Sequence, residues 1–197
     1  MSEPVLMHGA GAPSSWVTRW APCVPAGASV LDLACGRGRH ARWWAARGHA
    51  VTAVDRDAEA LHSLAGVAGI EVVQAELEEQ TWPLAGRCFD LVVVTNYLWR
   101  PRFDALLDTV APGGLLLYET FTAGQETIGR PARAEFLLQP GELLQRCAGW
   151  QVQGFEQGLL AAPARFVQRV AARRPAAAAD RHDAQRNSLP EWPLSQG

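Results

Sequence analysis

Lysine is absent from this chain of 197 residues, and all 18 basic residues are arginines. That absence removes a Schiff-base lysine and a lysine general base, and with them pyridoxal-type chemistry. The formal net charge is −2 at pH 7, so the chain lacks the strongly basic balance that draws proteins to nucleic acid. No apolar run approaches the length of a membrane span, and residues 1–5 lack the charged region and long apolar core of a secretory signal. A soluble, cytoplasmic protein is the expectation. Cysteine is sparse: Cys23, Cys35, Cys88 and Cys147 show no paired spacing, which predicts neither a zinc or other metal site nor a disulfide framework, but buried thiols in a reducing compartment. No internal repeat is visible.

What the chain does have is enough apolar sequence, 48%, to bury one substantial core. One domain is expected over 29–174, preceded by a helical or lid segment at 1–28 and followed by a mobile tail at 175–197. Hydrophobic period and punctuation predict strands at 29–34, 50–55, 71–74, 89–95 and 115–121. Helices are predicted at 39–47, 57–64 and 102–110, the last closed by Ala111-Pro112-Gly113-Gly114. This alternation predicts an α/β fold with a parallel sheet and helices on both faces. The connection from Gln74 to Phe89 holds Pro83 and Gly86 and is too short for a full crossover helix. A polar stretch at 122–131 reads as a loop on the ligand side, Pro140-Gly141 opens another helix, and 150–159 and 165–172 read as antiparallel strands joined by a short connection.

The chemistry is concentrated at Val30-Leu31-Asp32-Leu33-Ala34-Cys35-Gly36-Arg37-Gly38-Arg39-His40, where an apolar strand enters a glycine turn and then a helix. Gly36 and Gly38 accept backbone conformations that strain other residues, and they let a ligand approach the main chain. Such turns also occur without ligands. Here, however, a second strand ends at Asp55 about 20 residues on, the position of an acid that binds a ribose; otherwise Asp55 is a helix cap or a solvated turn acid. In an open parallel sheet the ligand sits beyond the carboxyl ends of the strands, which also singles out Asp32, Glu76-Leu77, Asn96-Tyr97 and Glu119.

The chain resembles the class I S-adenosylmethionine-dependent methyltransferases. Asp32 to Gly38 stands in the place of that family's glycine motif, and Ala111-Pro112-Gly113-Gly114 matches its turn before the fifth strand. Through Asn96-Tyr97-Leu98-Trp99-Arg100-Pro101 and Tyr118-Glu119-Thr120-Phe121 it is most similar to small bacterial members of the tellurite-resistance-like group. The resemblance implies a single Rossmann-like domain with a mostly parallel seven-stranded sheet, an antiparallel strand near the C-terminus, and S-adenosylmethionine as cofactor. It implies that Gly36 and Gly38 lie against the methionine part of the cofactor, and that Asp32 holds its amino group directly or through water. Asp55 then clasps the ribose, Glu76 and the Leu77 amide face adenine, and Ala34, Arg56 and Asn96 complete the cofactor site. Relatives carry aspartate where Glu76 stands, and Glu76 reads equally as a solvated acid.

Tyr97 and Glu119 are the candidate catalytic residues. Each has a plainer reading: Tyr97 as a ring packed on the cofactor, and Glu119 as a partner for Arg100, Arg130 or Arg133. His40 is placed near the cofactor but a lone helical histidine is commonly structural. Trp16, Trp20 and Trp99 are candidates to border the site, although most tryptophans serve the core. Arg100, Arg102, Arg130 and Arg133 fall near the ligand face, either to bind an anionic group or as a salt-bridged surface. The implied reaction is in-line methyl transfer to a small-molecule acceptor by a monomer or homodimer. The rivals are a nicotinamide oxidoreductase, since Gly36-Arg37-Gly38-Arg39-His40-Ala41 fits G-x-G-x-x-A, and a silent cofactor-binding module.

Overall fold

The computed structural model describes residues 11–78 and 81–176. Its strands are β1 (Ser29–Leu33), β2 (Ala50–Asp55), β3 (Ile70–Gln74), β4 (Phe89–Thr95), β5 (Val110–Phe121), β6 (Gln151–Ala161) and β7 (Ala164–Arg173). They form one sheet in the order β3-β2-β1-β4-β5-β7-β6. The first five run parallel, while β7 lies antiparallel between β5 and β6. From β1 the chain winds outward through β2 and β3, then returns to β4 on the other side. The switch between β1 and β4 is where such sheets open a ligand crevice.

The sheet centre is apolar on both faces, as a buried parallel sheet requires. In β4, Leu91 and Val93 enter one core with Val30, Leu115, Leu117 and Ala171. Val92 and Val94 enter the other with Leu31, Leu33, Leu116 and Tyr118. The helices α1 (Ser15–Arg19), α2 (Arg39–Ala45), α3 (Ala58–His62), α4 (Phe103–Asp108) and α5 (Glu142–Arg146) are shorter than the sequence pattern suggests, because their ends are capped early. Asp57 caps α3 by accepting the Ala60 amide and does not join it. Pro101 begins a 3₁₀ turn before α4, and the Thr109 hydroxyl closes α4 on the Leu106 carbonyl. Val110 already belongs to β5, so the Pro-Gly-Gly turn lies within that strand at a break in its register with β4.

Among the described residues of the 75–88 connection there is no helix, in line with the abbreviated crossover. Val72 of β3 is exposed. Two expectations need correction. Trp16 and Trp20 do not border a ligand site; they are core residues, 2% and 1% exposed, packed edge to face. The described part of the N-terminal segment is thus built into the domain. Cys88 is exposed and so departs from the expected buried thiols. No helix of the described residues is long and apolar enough to cross a membrane. Residues 1–10, Glu79, Trp192 and nearly all of the expected tail lie outside the described residues.

Candidate cofactor site and its surroundings

Beyond Leu33 the chain turns through three left-handed residues, Ala34 at φ 53°, Gly36 at φ 55° and Gly38 at φ 73°. A left-handed conformation costs an L-residue roughly 1–2 kcal/mol, and strain of this kind collects at ligand sites. The turn is held by its neighbours. The Cys35 amide donates to the Val54 carbonyl at 3.0 Å, and the Gly36 amide donates to Asp55 Oδ2 at 2.7 Å. The two glycines do different work. A Cβ on Gly36 would meet nothing within 4 Å, whereas one on Gly38 would lie 2.5 to 2.9 Å from the side chain of Leu64. Gly36 therefore borders open space for a ligand, and Gly38 lets the start of α2 pack against the segment after α3. Gly38→Ala combines that overlap with a left-handed alanine and is expected to cost about 2–3 kcal/mol. Thermal unfolding is expected to drop by roughly 5–10 °C.

Asp55 ends β2 with both oxygens directed at main chain, since Oδ1 accepts the Asp57 amide at 3.0 Å. A carboxylate has about four acceptor sites, so two remain for hydroxyl donors. Beside it opens a cleft of about 140 Å³, with Ala34, Ala75 and Leu77 as apolar wall and Tyr97 opposite. Arg56, Glu76 and Glu78 form its polar rim. Glu76 accepts the Glu78 amide at 3.2 Å and stands 3.6 Å from Arg56. The Tyr97 hydroxyl is buried without a hydrogen-bond partner among the described residues. Burial first, then the charges of Glu78 and Glu76, push its phenol above the ordinary tyrosine range. A flat ring held between apolar walls, with an acid for vicinal hydroxyls, fits a nucleoside.

Asp32 lies beneath the turn, 1% exposed. Its Oδ2 accepts the Ala41 amide at 2.9 Å. Burial drives its carboxyl up to about 7, opposed by that amide and by Arg39 and reinforced by Asp55. His40 Nδ1 stands 3.9 Å from Asp32 Oδ1, yet the two form no ion pair at neutral pH. The Ser14 amide donates to His40 Nε2 at 3.1 Å, which requires an unprotonated Nε2. Burial, with help from Arg39, lowers the imidazole to about 3.

Ser14 also donates its hydroxyl to Glu119 Oε2 at 3.0 Å. Glu119 is fully buried, and its remaining contacts are Arg165 at 3.2 Å and Arg169 at 3.3 Å. This corrects the expected partners Arg100, Arg130 and Arg133. Arg100 instead forks onto Glu142 with two 2.8 Å bonds and holds the carbonyls of Glu135 and Leu137, while Arg133 pairs with Glu135. Asn96, left-handed at φ 56°, donates its amide to the Glu119 carbonyl at 2.9 Å. It shapes the end of β4 but does not line the nucleoside cleft.

The structure thus gathers Ala34, Asp55, Arg56, Glu76, Leu77 and Tyr97 around one cleft, with Gly36 tied to it through Asp55, Asp32 beneath the turn and Gly38 serving packing. Glu119 and Asn96 stand apart, toward β5. Sequence reasoning missed Ser14, Arg165 and Arg169. The two arginines are four apart in a strand and so share a face, an unusual pattern in a buried strand and the one local signal available.

Residues 30–114 match the family model described as a methyltransferase domain. Among curated proteins, the malonyl-[acyl-carrier protein] O-methyltransferase of Salmonella typhimurium (strain LT2) is 31% identical over 145 residues, which cover 63% of this chain and 54% of that protein. The chain spans about half the length of the curated relatives it matches. Among solved structures, TehB from Haemophilus influenzae is similar with a TM-score of 0.65 at 19% identity, over 81% of this chain and 61% of that one. A S-adenosylmethionine-dependent methyltransferase from Methanosarcina mazei gives 0.64 at 14% identity, over 84% of this chain and 100% of that one. These structural likenesses establish the fold.

Proposed function

We propose, from the match of residues 30–114 to a methyltransferase domain, that this protein is a class I methyltransferase that transfers a methyl group from S-adenosylmethionine to a small-molecule acceptor. The observation that carries the reading is the hydrogen bond from Gly36 to Asp55, which locks the glycine turn to the acid that faces the nucleoside cleft. The bound cofactor would supply an already activated sulfonium methyl, open to in-line attack by the acceptor's lone pair, with the carbon–sulfur bond breaking and S-adenosylhomocysteine as the leaving group. Asp55 would hold the ribose hydroxyls, while Ala75, Leu77 and Tyr97 enclose the base. Gly36 leaves room for the amino-acid half, and Asp32 receives its ammonium. The protein's main contribution is then alignment and exclusion of water, which contribute several kcal/mol to such reactions.

Tyr97 is a wall of this site, not a base: its phenol stays neutral at physiological pH and lies at the adenosine end. Glu119 has both oxygens engaged and positions other groups. A cytoplasmic location is part of the reading, supported by four unpaired cysteines, and so is a monomer or homodimer.

Calorimetric titration with S-adenosylhomocysteine and with NADH tests the proposal. Binding of the first and silence of the second are expected, and the reverse would overturn it. Release of S-adenosylhomocysteine across small nucleophiles, with malonyl-[acyl-carrier protein] as an additional acceptor, separates an enzyme from a silent module.

Asp32 adds a pH signature. Its raised carboxyl means the folded protein holds a proton that the unfolded chain has released, so stability falls as pH rises from about 4 to 7. An ammonium ligand favours the ionised form. S-adenosylhomocysteine is therefore expected to bind about tenfold more tightly at pH 8 than at pH 6. Asp32→Asn is expected to flatten that dependence, and a flat profile in the unaltered protein would remove Asp32 from ammonium binding.

A further inference from the structure

Arg165 is the ionic group in this fold with the least explained surroundings. Its guanidinium has five donors. Among the described residues it makes one hydrogen bond, to Glu119 Oε1 at 3.2 Å, and its buried Nε has none. Arg169 behind it is 8% exposed, reaches Glu119 at 3.3 Å and Glu156 at 2.9 Å, and also carries a buried Nε without a partner. Glu119 is divided between the two guanidiniums, and Arg169 has a second carboxylate in Glu156. Arg165 shares its one carboxylate with Arg169, and its Nε is buried without a partner, which leaves the guanidinium short of acceptors.

The position matters as much as the deficit. β7 runs antiparallel to β5, with Phe121 opposite Val167, so Arg165 lies past the end of β5 on the edge where the parallel strands finish. That edge carries Asp55 and the nucleoside cleft. β7 is three strands from β1, roughly 14 Å at a spacing of about 4.8 Å. The cofactor's amino and carboxyl groups share one carbon, so an amino-acid half held at Asp32 keeps its carboxylate on the β1 side of that separation. The anion that Arg165 lacks belongs to something else on the same edge. Its side chain is 21% exposed, which leaves a path to it.

We infer that Arg165, backed by Arg169, is a carboxylate-binding subsite that recognises the methyl acceptor by a carboxylate remote from the atom methylated; this rests on the proposed methyl transfer. A planar guanidinium fork matches a carboxylate in two parallel hydrogen bonds. A carboxylate tied in that way has its lone pairs occupied and is a poor nucleophile, so it serves as the handle while another atom of the acceptor takes the methyl. Glu119 and Ser14 position the fork, linking it to the N-terminal segment and to His40.

The test uses the full chain with and without saturating S-adenosylhomocysteine, titrated with benzoate against benzamide and succinate against succinamide. Binding is read by calorimetry and by tryptophan fluorescence, since the Trp16 ring lies 5.3 Å from the Arg169 guanidinium. The acids are expected to bind at least about tenfold more tightly than their amides, a difference of about 1.4 kcal/mol. Arg165→Gln is expected to abolish the preference, and Arg165→Lys to retain charge but weaken it, while S-adenosylhomocysteine affinity stays within about twofold in both. Equal binding of acid and amide, no binding of any probe, or a preference that survives Arg165→Gln overturns the proposal. Loss of S-adenosylhomocysteine affinity in Arg165→Gln also overturns it and assigns the guanidinium to the cofactor. Failure of the unaltered protein to bind S-adenosylhomocysteine sinks the methyltransferase reading separately, because acid preference is also read on cofactor-free protein.

Discussion

Glu119→Ala is expected to destabilise the protein by about 3–5 kcal/mol, the range for breaking a buried ion pair from one side. The carboxylate is wholly buried and accepts from Ser14, Arg165 and Arg169. Its removal strands Arg165 with no acceptor among the described residues and leaves Arg169 with Glu156 alone. It also frees the Ser14 hydroxyl, whose residue joins the N-terminal segment to His40. Glu119→Gln keeps the volume and one acceptor oxygen, so a smaller loss is expected from it. Urea unfolding measures both, and for a chain of this size the alanine variant is expected to unfold roughly 6–15 °C lower. A residue acting mainly as a catalytic base would show the opposite pattern, with turnover abolished and stability nearly unchanged. Unchanged stability in Glu119→Ala would return Glu119 to the list of candidate bases.

This contrast marks how far the sequence could be read. The strand–glycine–helix unit was legible because its determinants are local: β1 enters the turn directly, and the acid that closes on Gly36 ends the next strand, 19 residues away. The central strands were legible because β4 is buried on both faces and so reads as a continuous apolar run. Helix ends were not, because Asp57 and Thr109 act through single capping contacts and Pro101 lies in a 3₁₀ turn before α4, none of which periodicity registers. The environment of Glu119 was also hidden. Ser14 lies 105 residues away and Arg169 lies 50, so the charge balance that decides between base and buried anchor exists only once β7 has slotted in beside β5. Tyr97 shows the same limit from the other side. Its position after β4 brings it to the cleft, but the charges around its hydroxyl come from Glu76 and Glu78 on a different connection.

Asp55→Ala is expected to weaken S-adenosylhomocysteine binding about 100-fold or more, nearly 3 kcal/mol. Two losses contribute. Hydrogen bonds from hydroxyls to a charged acceptor contribute about 1.5–3 kcal/mol. In addition, the Gly36 and Asp57 amides lose their shared acceptor, so the left-handed turn that leaves space for the ligand is no longer tied to β2. Asp55→Asn separates the two. It retains one acceptor oxygen but turns an NH₂ group toward either an amide or a ribose hydroxyl, and a loss of about tenfold is expected. The assignment to ribose is tested by a double-mutant cycle with 2′-deoxy-S-adenosylhomocysteine. In the unaltered protein the missing hydroxyl is expected to cost about 1.5 kcal/mol, whereas in Asp55→Ala the deoxy and parent ligands are expected to bind alike. If the deoxy penalty persists at full size in Asp55→Ala, the hydroxyl meets some other group, and Asp55 acts on the cofactor only through the glycine turn.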